Sequence, residues 1–217
     1  MHATLDDATR MDRHYRFQRH IYDATRTHYL IGRRPLLAGL KPRPSGTVLE
    51  IGCGTAWNLV RAGELYPEAL LYGVDVSSAM LRTAGQSLKR HGLTKRVRLA
   101  QADATQLDTG RIFQVPGFDR VFLSYVLSMI PDWRRALAAA ERAIGPGGEL
   151  HIVDFGQCER LPAFFKSGLE RFLAHYTVTP RVDLEQELRK LADSRGLTLD
   201  FSRIHRGYTM LAVVKRP

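Results

Sequence analysis

Acidic residues and glycines stand at the ends of three successive predicted strands. Glu50 precedes a glycine loop that contains Gly52 and Gly54, Asp75 ends the next strand, and Asp103 ends the third. Asp75 follows Gly54 by about 20 positions, the spacing at which a carboxylate can accept hydrogen bonds from ribose hydroxyls. A single aspartate of this kind is more often a turn former or a helix cap. Three strand ends in this order favour an adenosine-type ligand, with Asp103 placed to bind an exocyclic amine.

The glycine loop departs from the dinucleotide-binding pattern. That pattern requires a third small residue where helix and strand pack closely, and Trp57 stands there. A predicted helix follows the loop, so its N-terminal N–H groups suit a polar cofactor group. The loop therefore predicts a cofactor site and disfavours nicotinamide.

A parallel sheet is needed to bring these residues together. Apolar runs predict strands near 48–51, 70–76, 97–103, 118–127 and 149–155. Helices are predicted at about 10–40, from the glycine loop to residue 66, and at 77–92, 131–148, 161–176 and 183–196. Strands that alternate with helices form a parallel sheet with right-handed crossovers. The last two predicted strands, 197–205 and 208–214, are too close in sequence for a crossover and must pair as an antiparallel hairpin.

The motifs Glu50-Ile-Gly-Cys-Gly-Thr, Asp75, Gln101-Ala-Asp-Ala and Gly145-Pro-Gly-Gly resemble those of class I S-adenosylmethionine-dependent methyltransferases. The resemblance implies a doubly wound, Rossmann-like α/β fold with a seven-stranded, mostly parallel sheet and a C-terminal antiparallel hairpin. It divides the chain into an N-terminal helical cap at 1–44 and a methyltransferase domain at 45–217, with a helical insertion at about 160–180. Ala56 replaces the family's third glycine, a mild departure.

The resemblance also implies roles for individual residues. S-adenosyl-L-methionine is the implied cofactor, and Ser124 and Tyr125 would face the transferred methyl group and the acceptor. The residues implied to bind the cofactor are Glu50, Gly52, Cys53, Gly54, Asn58, Asp75, Val76, Met80, Asp103, Ala104 and Ser124.

The N-terminal segment combines phenol and guanidinium groups at a regular spacing. Tyrosines at 15, 22 and 29 and arginines at 19, 26 and 33 recur every seven residues, so on a helix each Tyr–Arg pair shares a face. Guanidinium groups bind carboxylate or phosphate bidentately. We predict catalytic roles for Tyr22, Tyr29 and Tyr125, and acceptor binding by Tyr15, Arg26 and Arg33. The alternative is a solvated basic helix that packs its tyrosines on the sheet.

The longer stretch RHIYDATRTHYLIGRRPLL, ahead of VLEIGCGTAWN and with SYVLSMIPDW later, is similar to bacterial BtaB-type N-methyltransferases. The resemblance implies three methylations of the amine of diacylglyceryl-homoserine, which yield the betaine lipid diacylglyceryl-N,N,N-trimethylhomoserine. Phosphatidylethanolamine N-methyltransferases are the nearest confusable group. Methylation of another amine, a quinone ring or a small metabolite remains an alternative. So do a nucleic-acid methyltransferase and a non-catalytic lipid- or cofactor-binding module.

The formal net charge of +10 predicts an anionic partner, either nucleic acid or a membrane surface. In the predicted insertion, Arg160, Lys166 and Arg171 alternate with apolar residues at helical spacing. This pattern is typical of an interfacial amphipathic helix, or of a helix that covers the sheet or closes the acceptor pocket. Because basic groups interleave with tyrosines on one helix, nucleic acid is disfavoured. We expect a cytoplasmic protein that contacts the inner face of the cell membrane peripherally; the sequence predicts no oligomeric state.

Other chemistries lack their motifs. The histidines form no H-E-x-x-H, Cys53 and Cys158 lack ligand spacing, and G-x-S-x-G is absent, so we expect neither a metal site nor a serine nucleophile. We also expect neither a signal peptide nor a spanning helix, because no long apolar run occurs. The acceptor nitrogen must lose a proton before it attacks. His28 and His151 are candidate proton acceptors, although each is more typical of a structural or surface histidine.

Overall fold

The computed structural model describes residues 29–217. Its strands are β1 Thr47–Ile51, β2 Leu70–Asp75, β3 Val97–Gln101, β4 Phe118–Ser124, β5 Ile144–Phe155, β6 Thr198–Ile204 and β7 Thr209–Lys215. Its α-helices are α1 Arg33–Gly39, α2 Trp57–Leu65, α3 Ser78–Arg90, α4 Thr109–Phe113, α5 Trp133–Arg142, α6 Ala163–His175 and α7 Leu184–Arg195. Short 3-10 turns cover Ala104–Gln106, Leu127–Met129 and His205–Gly207.

The strands form one seven-stranded sheet in the order β3-β2-β1-β4-β5-β7-β6. Strands β1 to β5 pair in parallel, and β7 is antiparallel to both β5 and β6. The predicted fold, with its C-terminal hairpin, is therefore confirmed. The strand order reverses between β1 and β4, and a crevice at the carboxyl ends of the strands at such a point is where open α/β sheets bind ligands.

Helices cover both faces of the sheet. One core cluster contains residues of α5 and α7, and the other contains residues of α1, α2 and α3. Val121, Phe122 and Leu123 of β4 are all fully buried, as expected for a central strand that is covered on both faces. Within residues 29–217, no helix is both long and apolar enough to cross a bilayer.

The helical pattern predicted over about 10–40, with Gly32 and Pro35 as breakers, is interrupted in its described part. The chain turns at residues 30–32, and α1 begins only at Arg33. Gly32 has φ 102°, and a Cβ atom there would lie 2.8 Å from Thr209 Cγ2. Only glycine accommodates both the backbone angle and this close approach to β7. Tyr29 and Arg33 therefore do not share one continuous helix, and residues before 29 lie outside the described part of the chain.

Two further boundaries differ from the prediction. Helix α5 ends at Arg142, and β5 begins at Ile144, whereas the helix was predicted to run to the glycines at 145–148. A Cβ atom on Gly148 would lie 2.6 Å from Phe118 O, so these glycines let β4 and β5 approach closely and do not cap a helix. Strand β4 ends at Ser124, earlier than predicted, because the chain turns at Tyr125 with φ 58°. The short helix α4 was not predicted.

Candidate functional site

The loop between β1 and α2 contains three residues in the left-handed region. Gly52 has φ 75°, Gly54 has φ 52° and Ala56 has φ 65°. A Cβ atom on Gly52 would lie 2.5 Å from Val126 Cγ2, whereas one on Gly54 would meet no described atom within 4 Å. The Val126 side chain therefore fills the space beside Gly52, whereas the space beside Gly54 is empty of described atoms, so a ligand can approach the backbone there.

Ala56, at the position of the family's third glycine, is the N-cap of α2. A left-handed conformation costs a non-glycine residue roughly 1–2 kcal/mol, so the replacement adds strain to the loop. The Ala56 methyl group is fully buried. Beside it, burial raises the pKa of the Cys53 thiol, and the Cys53 N–H donates to Val74 O at 2.9 Å. Cys53 is therefore a neutral thiol, and its backbone ties the loop to the end of β2.

Asp75, the last residue of β2, holds this loop through its carboxylate. Its Oδ2 accepts a hydrogen bond from Gly54 N at 2.8 Å, and its Oδ1 accepts one from Ser77 N at 2.9 Å. Both carboxylate oxygens therefore tie the glycine loop to the end of β2 and to the start of α3. The geometry fits the predicted role, in which ribose hydroxyls donate to Asp75.

Glu50 and Asn58 form a buried polar pair next to the loop. Asn58 Nδ2 donates to Glu50 Oε1 at 2.6 Å. Within residues 29–217, Glu50 Oε2 and Asn58 Oδ1 have no hydrogen-bond partner. Burial raises the pKa of Glu50 to about 8, although the Asn58 hydrogen bond and the nearby Arg33 charge oppose this shift. Buried acceptors without partners are uncommon, and these two fit a ligand ammonium such as that of the methionine part of the cofactor.

Binding of S-adenosylmethionine near pH 7 is expected to release close to one proton. With a pKa of about 8, Glu50 is mostly protonated in the cofactor-free protein, and an ammonium at its free oxygen favours the carboxylate. The affinity should therefore rise with pH between about 6 and 7. Calorimetric titration in buffers of different ionisation heat measures the released protons. Glu50→Gln is the control: equal release from that variant, or none from the wild type, would contradict this placement.

The other predicted cofactor residues lie at the ends of β2 and β3. Asp103 Oδ1 accepts hydrogen bonds from Thr105 N and Thr105 Oγ1, both at 2.8 Å, so Asp103 caps the turn at Ala104–Gln106. Val76 O accepts from Gln101 Nε2 at 2.9 Å. Met80 is buried in α3, and its N–H donates to the N-cap Ser77 Oγ at 3.2 Å. Asp103 thus has a structural task, and its contact with adenine, like that of Ala104, stays a prediction.

Ser124 and Tyr125 lie at the carboxyl end of β4, beside the glycine loop. Ser124 Oγ is buried and has no hydrogen-bond partner among the described residues, so it can bind a ligand. Tyr125 is 4% exposed. Its hydroxyl donates to Ile31 O and lies 3.2 Å from Thr209 Oγ1, and burial raises its pKa. The phenol therefore stays protonated and bonded to the chain, and the catalytic role predicted for Tyr125 rests on its ring.

Replacing Tyr125 by Phe is expected to lower the free energy of unfolding by about 0.5–1.5 kcal/mol, because Ile31 O loses one of its two hydroxyl donors and keeps the hydrogen bond from Thr209 Oγ1. Urea denaturation followed by circular dichroism measures the loss. Tyr72→Phe is the matched control, since Tyr72 is buried and its hydroxyl has no recorded hydrogen bond in the described region. An equal loss in both variants would mean that the Ile31 contact contributes nothing.

Residues 29–31 are held against the C-terminal hairpin. Tyr208 Oη donates to Tyr29 O at 2.9 Å, and Thr209 Oγ1 donates to Ile31 O at 3.1 Å. Further on, Arg33 is buried, with its guanidinium carbon 4.0 Å from the centre of the Trp57 ring. Arg33 thus lies beside the cofactor loop, where its charge also acts on Glu50. Its predicted role in acceptor binding remains a prediction, as do those of Tyr15, Tyr22 and Arg26, which lie outside the described residues.

A cavity lined by aromatic rings lies at the carboxyl edge of β4 and β5. Its lining residues are Tyr29, Leu30, Tyr125, Met129, Phe155, Phe172, Leu173, Tyr176 and Val178. Its free volume is about 20 Å³, so a larger head group can enter only if α6 or residues 29–30 move. The sequence predicted Tyr29 and Tyr125 here but missed Met129, Phe155 and Tyr176. The apolar spacing of the insertion was the available signal for Phe172 and Tyr176. For Phe155 the sequence indicated only that it ends a predicted strand.

Comparison with known sequences agrees with this geometry. Residues 48–148 match the family model described as a methyltransferase domain. Demethylmenaquinone methyltransferase from Listeria welshimeri is 30% identical over 126 residues, which are 58% of this chain and 51% of the relative. The enzyme of that name from Geobacillus stearothermophilus is 31% identical over 121 residues, 55% of this chain and 50% of the relative. The aligned region therefore spans about half the length of these curated relatives.

Solved structures share the fold. The S-adenosylmethionine-dependent methyltransferase SibL has a TM-score of 0.68 at 22% identity, and the match covers 91% of this chain and 58% of SibL. Phosphoethanolamine N-methyltransferase 2 from Haemonchus contortus, in complex with S-adenosyl-L-methionine, has a TM-score of 0.67 at 18% identity, over 85% of this chain and 52% of that protein. Residues 48–148 are therefore similar in sequence to methyltransferase domains, and the described part of the chain shares the fold of these solved structures.

Proposed function

We propose that the protein transfers methyl groups from S-adenosylmethionine to the amine of a lipid head group, diacylglyceryl-homoserine, and forms its trimethylated betaine. The aromatic cavity carries this proposal. The rings of Tyr29, Tyr125, Phe155, Phe172 and Tyr176 line it, and aromatic faces attract a quaternary ammonium. The resemblance of the chain to BtaB-type enzymes supports the choice of acceptor.

The cavity also suits the proton chemistry of amine methylation. Its described lining residues include no carboxylate, imidazole or amine. A dry apolar site lowers the pKa of an entering ammonium, so the neutral amine, which is the nucleophile, is favoured without a dedicated base. In this proposal the chain places the amine and excludes water, and the bound cofactor supplies an already activated methyl group. Each transfer breaks the S–CH₃ bond of the cofactor and forms an N–CH₃ bond, so the product is an ammonium that the ring faces attract. A mono- or dimethylated ammonium releases its proton to water before the next transfer.

The residues around the glycine loop would hold the cofactor against this cavity. Asp75 would accept hydrogen bonds from the ribose, and the Glu50–Asn58 pair would accept from the ammonium group. Ser124, which precedes Tyr125 directly, links the two regions along the chain. Reacting atoms must approach to about 3–3.5 Å in line, so the turn at Tyr125 would set the distance between cofactor and acceptor.

A second candidate is methylation of a quinone ring. The curated relatives from Listeria and Geobacillus are named demethylmenaquinone methyltransferases, and a flat ring also fits between aromatic side chains. A quinone ring has no ammonium group that desolvation could convert to a neutral nucleophile, and its methylated product is not a cation. The two candidates therefore differ in the product, which carries a fixed positive charge only when the acceptor is an amine.

A methyl-transfer assay with purified protein distinguishes these acceptors. Labelled S-adenosylmethionine is supplied with diacylglyceryl-homoserine, phosphatidylethanolamine or a demethylated quinone in mixed micelles, and products are resolved by mass spectrometry. We expect mono-, di- and trimethylated homoserine lipid, and much less product from Gly54→Ala when the cofactor concentration is near the wild-type dissociation constant. Label in the quinone alone, or in phosphatidylethanolamine alone, would refute the proposed acceptor.

A further inference from the structure

Helix α6 exposes an unusual concentration of aromatic surface. Phe164 is 81% exposed, Phe165 43% and Phe172 39%. The other large exposed apolar side chains of the described region, Leu65, Leu70 and Val182, lie on other elements. Scattered exposed apolar residues need no explanation, but a group of them on one element marks an interaction surface.

One edge of α6 packs against the rest of the protein. Leu173 is buried and Leu169 half-buried, and both pack in the core cluster beneath α6. Phe172 contacts Tyr29 with a distance of 5.4 Å between ring centres and lines the cavity. The helix therefore has one apolar edge that roofs the cavity, while Phe164 faces outward on the other side. Phe165 borders the cavity edge, with its ring centre 6.5 Å from that of Tyr208, and is 43% exposed.

Basic side chains flank the outward edge. Arg160 and Arg171 are exposed, and neither has a recorded ion pair within residues 29–217. The neighbouring acids are engaged: Glu159 Oε1 lies 3.2 Å from Arg203 Nε, and Glu170 Oε1 lies 4.0 Å from Lys166 Nζ. With the chain's net charge of +10, exposed rings bordered by cations complement an anionic lipid surface more closely than an acidic or purely apolar protein partner.

We infer that α6 docks on the surface of an anionic bilayer, with Phe164 and Phe165 inserted at the boundary between head groups and acyl chains and Arg160 and Arg171 against lipid phosphates. The docked helix places the roof of the cavity at the membrane. An acceptor that stays in the bilayer can then enter when α6 moves, and this last step alone depends on the proposed function.

Cosedimentation of the full chain with vesicles tests the surface. One set contains phosphatidylcholine alone and the other adds phosphatidylglycerol; neither contains a homoserine lipid or a quinone. We expect binding to the anionic vesicles that weakens as salt rises. Replacing both Phe164 and Phe165 by Ser should lower the partition coefficient about tenfold or more, because two rings no longer enter the interface. Leu65→Ser, which changes an apolar side chain on α2 that is 53% exposed, should bind like the wild type.

The charged flank has its own pair of variants. Arg171→Gln should weaken binding to the anionic vesicles only, while Arg195→Gln at the end of α7 should not. Thermal unfolding and calorimetric cofactor binding show that each variant is folded, and Phe164→Ser alone serves if the double variant does not fold. Unchanged partition of the Phe variants, an equal loss in Leu65→Ser, or equal binding to both vesicle types would overturn the inference. Vesicle binding without lipid methylation would refute only the proposed function.

Discussion

Gly54→Ala lowers the affinity for S-adenosylmethionine by roughly 10- to 100-fold, because the added methyl group fills space that a bound ligand needs. A Cβ atom on Gly54 meets no described atom within 4 Å, so the cofactor-free protein tolerates it sterically. The backbone φ of 52° adds strain of about 1 kcal/mol to the folded state. Isothermal titration calorimetry measures the affinity, and urea denaturation measures the stability.

Gly92→Ala separates the two effects. Gly92 has φ 68° and likewise no described atom within 4 Å of a Cβ position, but it lies at the end of α3, away from the loop. Both variants should lose similar stability, and only Gly54→Ala should lose affinity. If the cofactor binds Gly54→Ala as tightly as Gly92→Ala, the open space at Gly54 is not part of the site.

Asp75→Asn is expected to weaken cofactor binding by roughly 100-fold, since charge-assisted hydrogen bonds contribute about 1.5–3 kcal/mol each. Both carboxylate oxygens of Asp75 accept backbone N–H groups, from Gly54 and Ser77. An asparagine has one acceptor oxygen, and its NH₂ group would face one of these donors. The loop must then shift, and the ribose loses its anionic acceptor. Equilibrium dialysis with labelled S-adenosylmethionine gives the dissociation constant.

Asp108→Asn provides the comparison for this substitution. Asp108 Oδ1 accepts from Arg111 N at 3.0 Å as the N-cap of α4, and asparagine caps a helix as well as aspartate does. That variant should bind the cofactor like the wild type. An affinity within about twofold of wild type for Asp75→Asn would show that the carboxylate does not contact the ribose.

The sequence was sufficient for features that depend on neighbouring residues. Apolar runs bounded by glycine and proline located the strands, and the short separation of β6 and β7 required their antiparallel pairing. The sequence signalled Gly32 as a helix breaker, but the reason for a glycine there was not predictable, because Thr209, whose side chain approaches it, lies in a distant strand. The start of β5 was missed for a similar reason. Its glycines are needed because the backbone of Phe118 in β4 passes close to them, and they do not end a helix.

The candidate site also contains one part that could be predicted from local sequence patterns and one part that could not. The glycine loop and the strand-end carboxylates could be predicted because each stands at a fixed place in a local pattern. The aromatic cavity draws Tyr29, Tyr125, Phe155 and Tyr176 from separate segments, and no local spacing relates them. The seven-residue Tyr–Arg repeat suggested a single binding face, but the turn before α1 places Arg33 against Trp57 instead.

The hydrogen bonds that hold residues 29–31 against the β6–β7 hairpin have a consequence for biosynthesis. Tyr208 and Thr209, which anchor that segment, follow it by 179 and 178 residues in the sequence, so the ribosome makes them much later. Domains generally fold during translation with N-terminal parts first, yet here residues 29–31, of which Tyr29 and Leu30 line the cavity, lack these hydrogen bonds until the β6–β7 hairpin has been made. A nascent chain that already contains the glycine loop and the first five strands therefore still lacks the complete aromatic cavity. Loss of the β6–β7 hairpin would leave residues 29–31 without the hydrogen bonds from Tyr208 and Thr209.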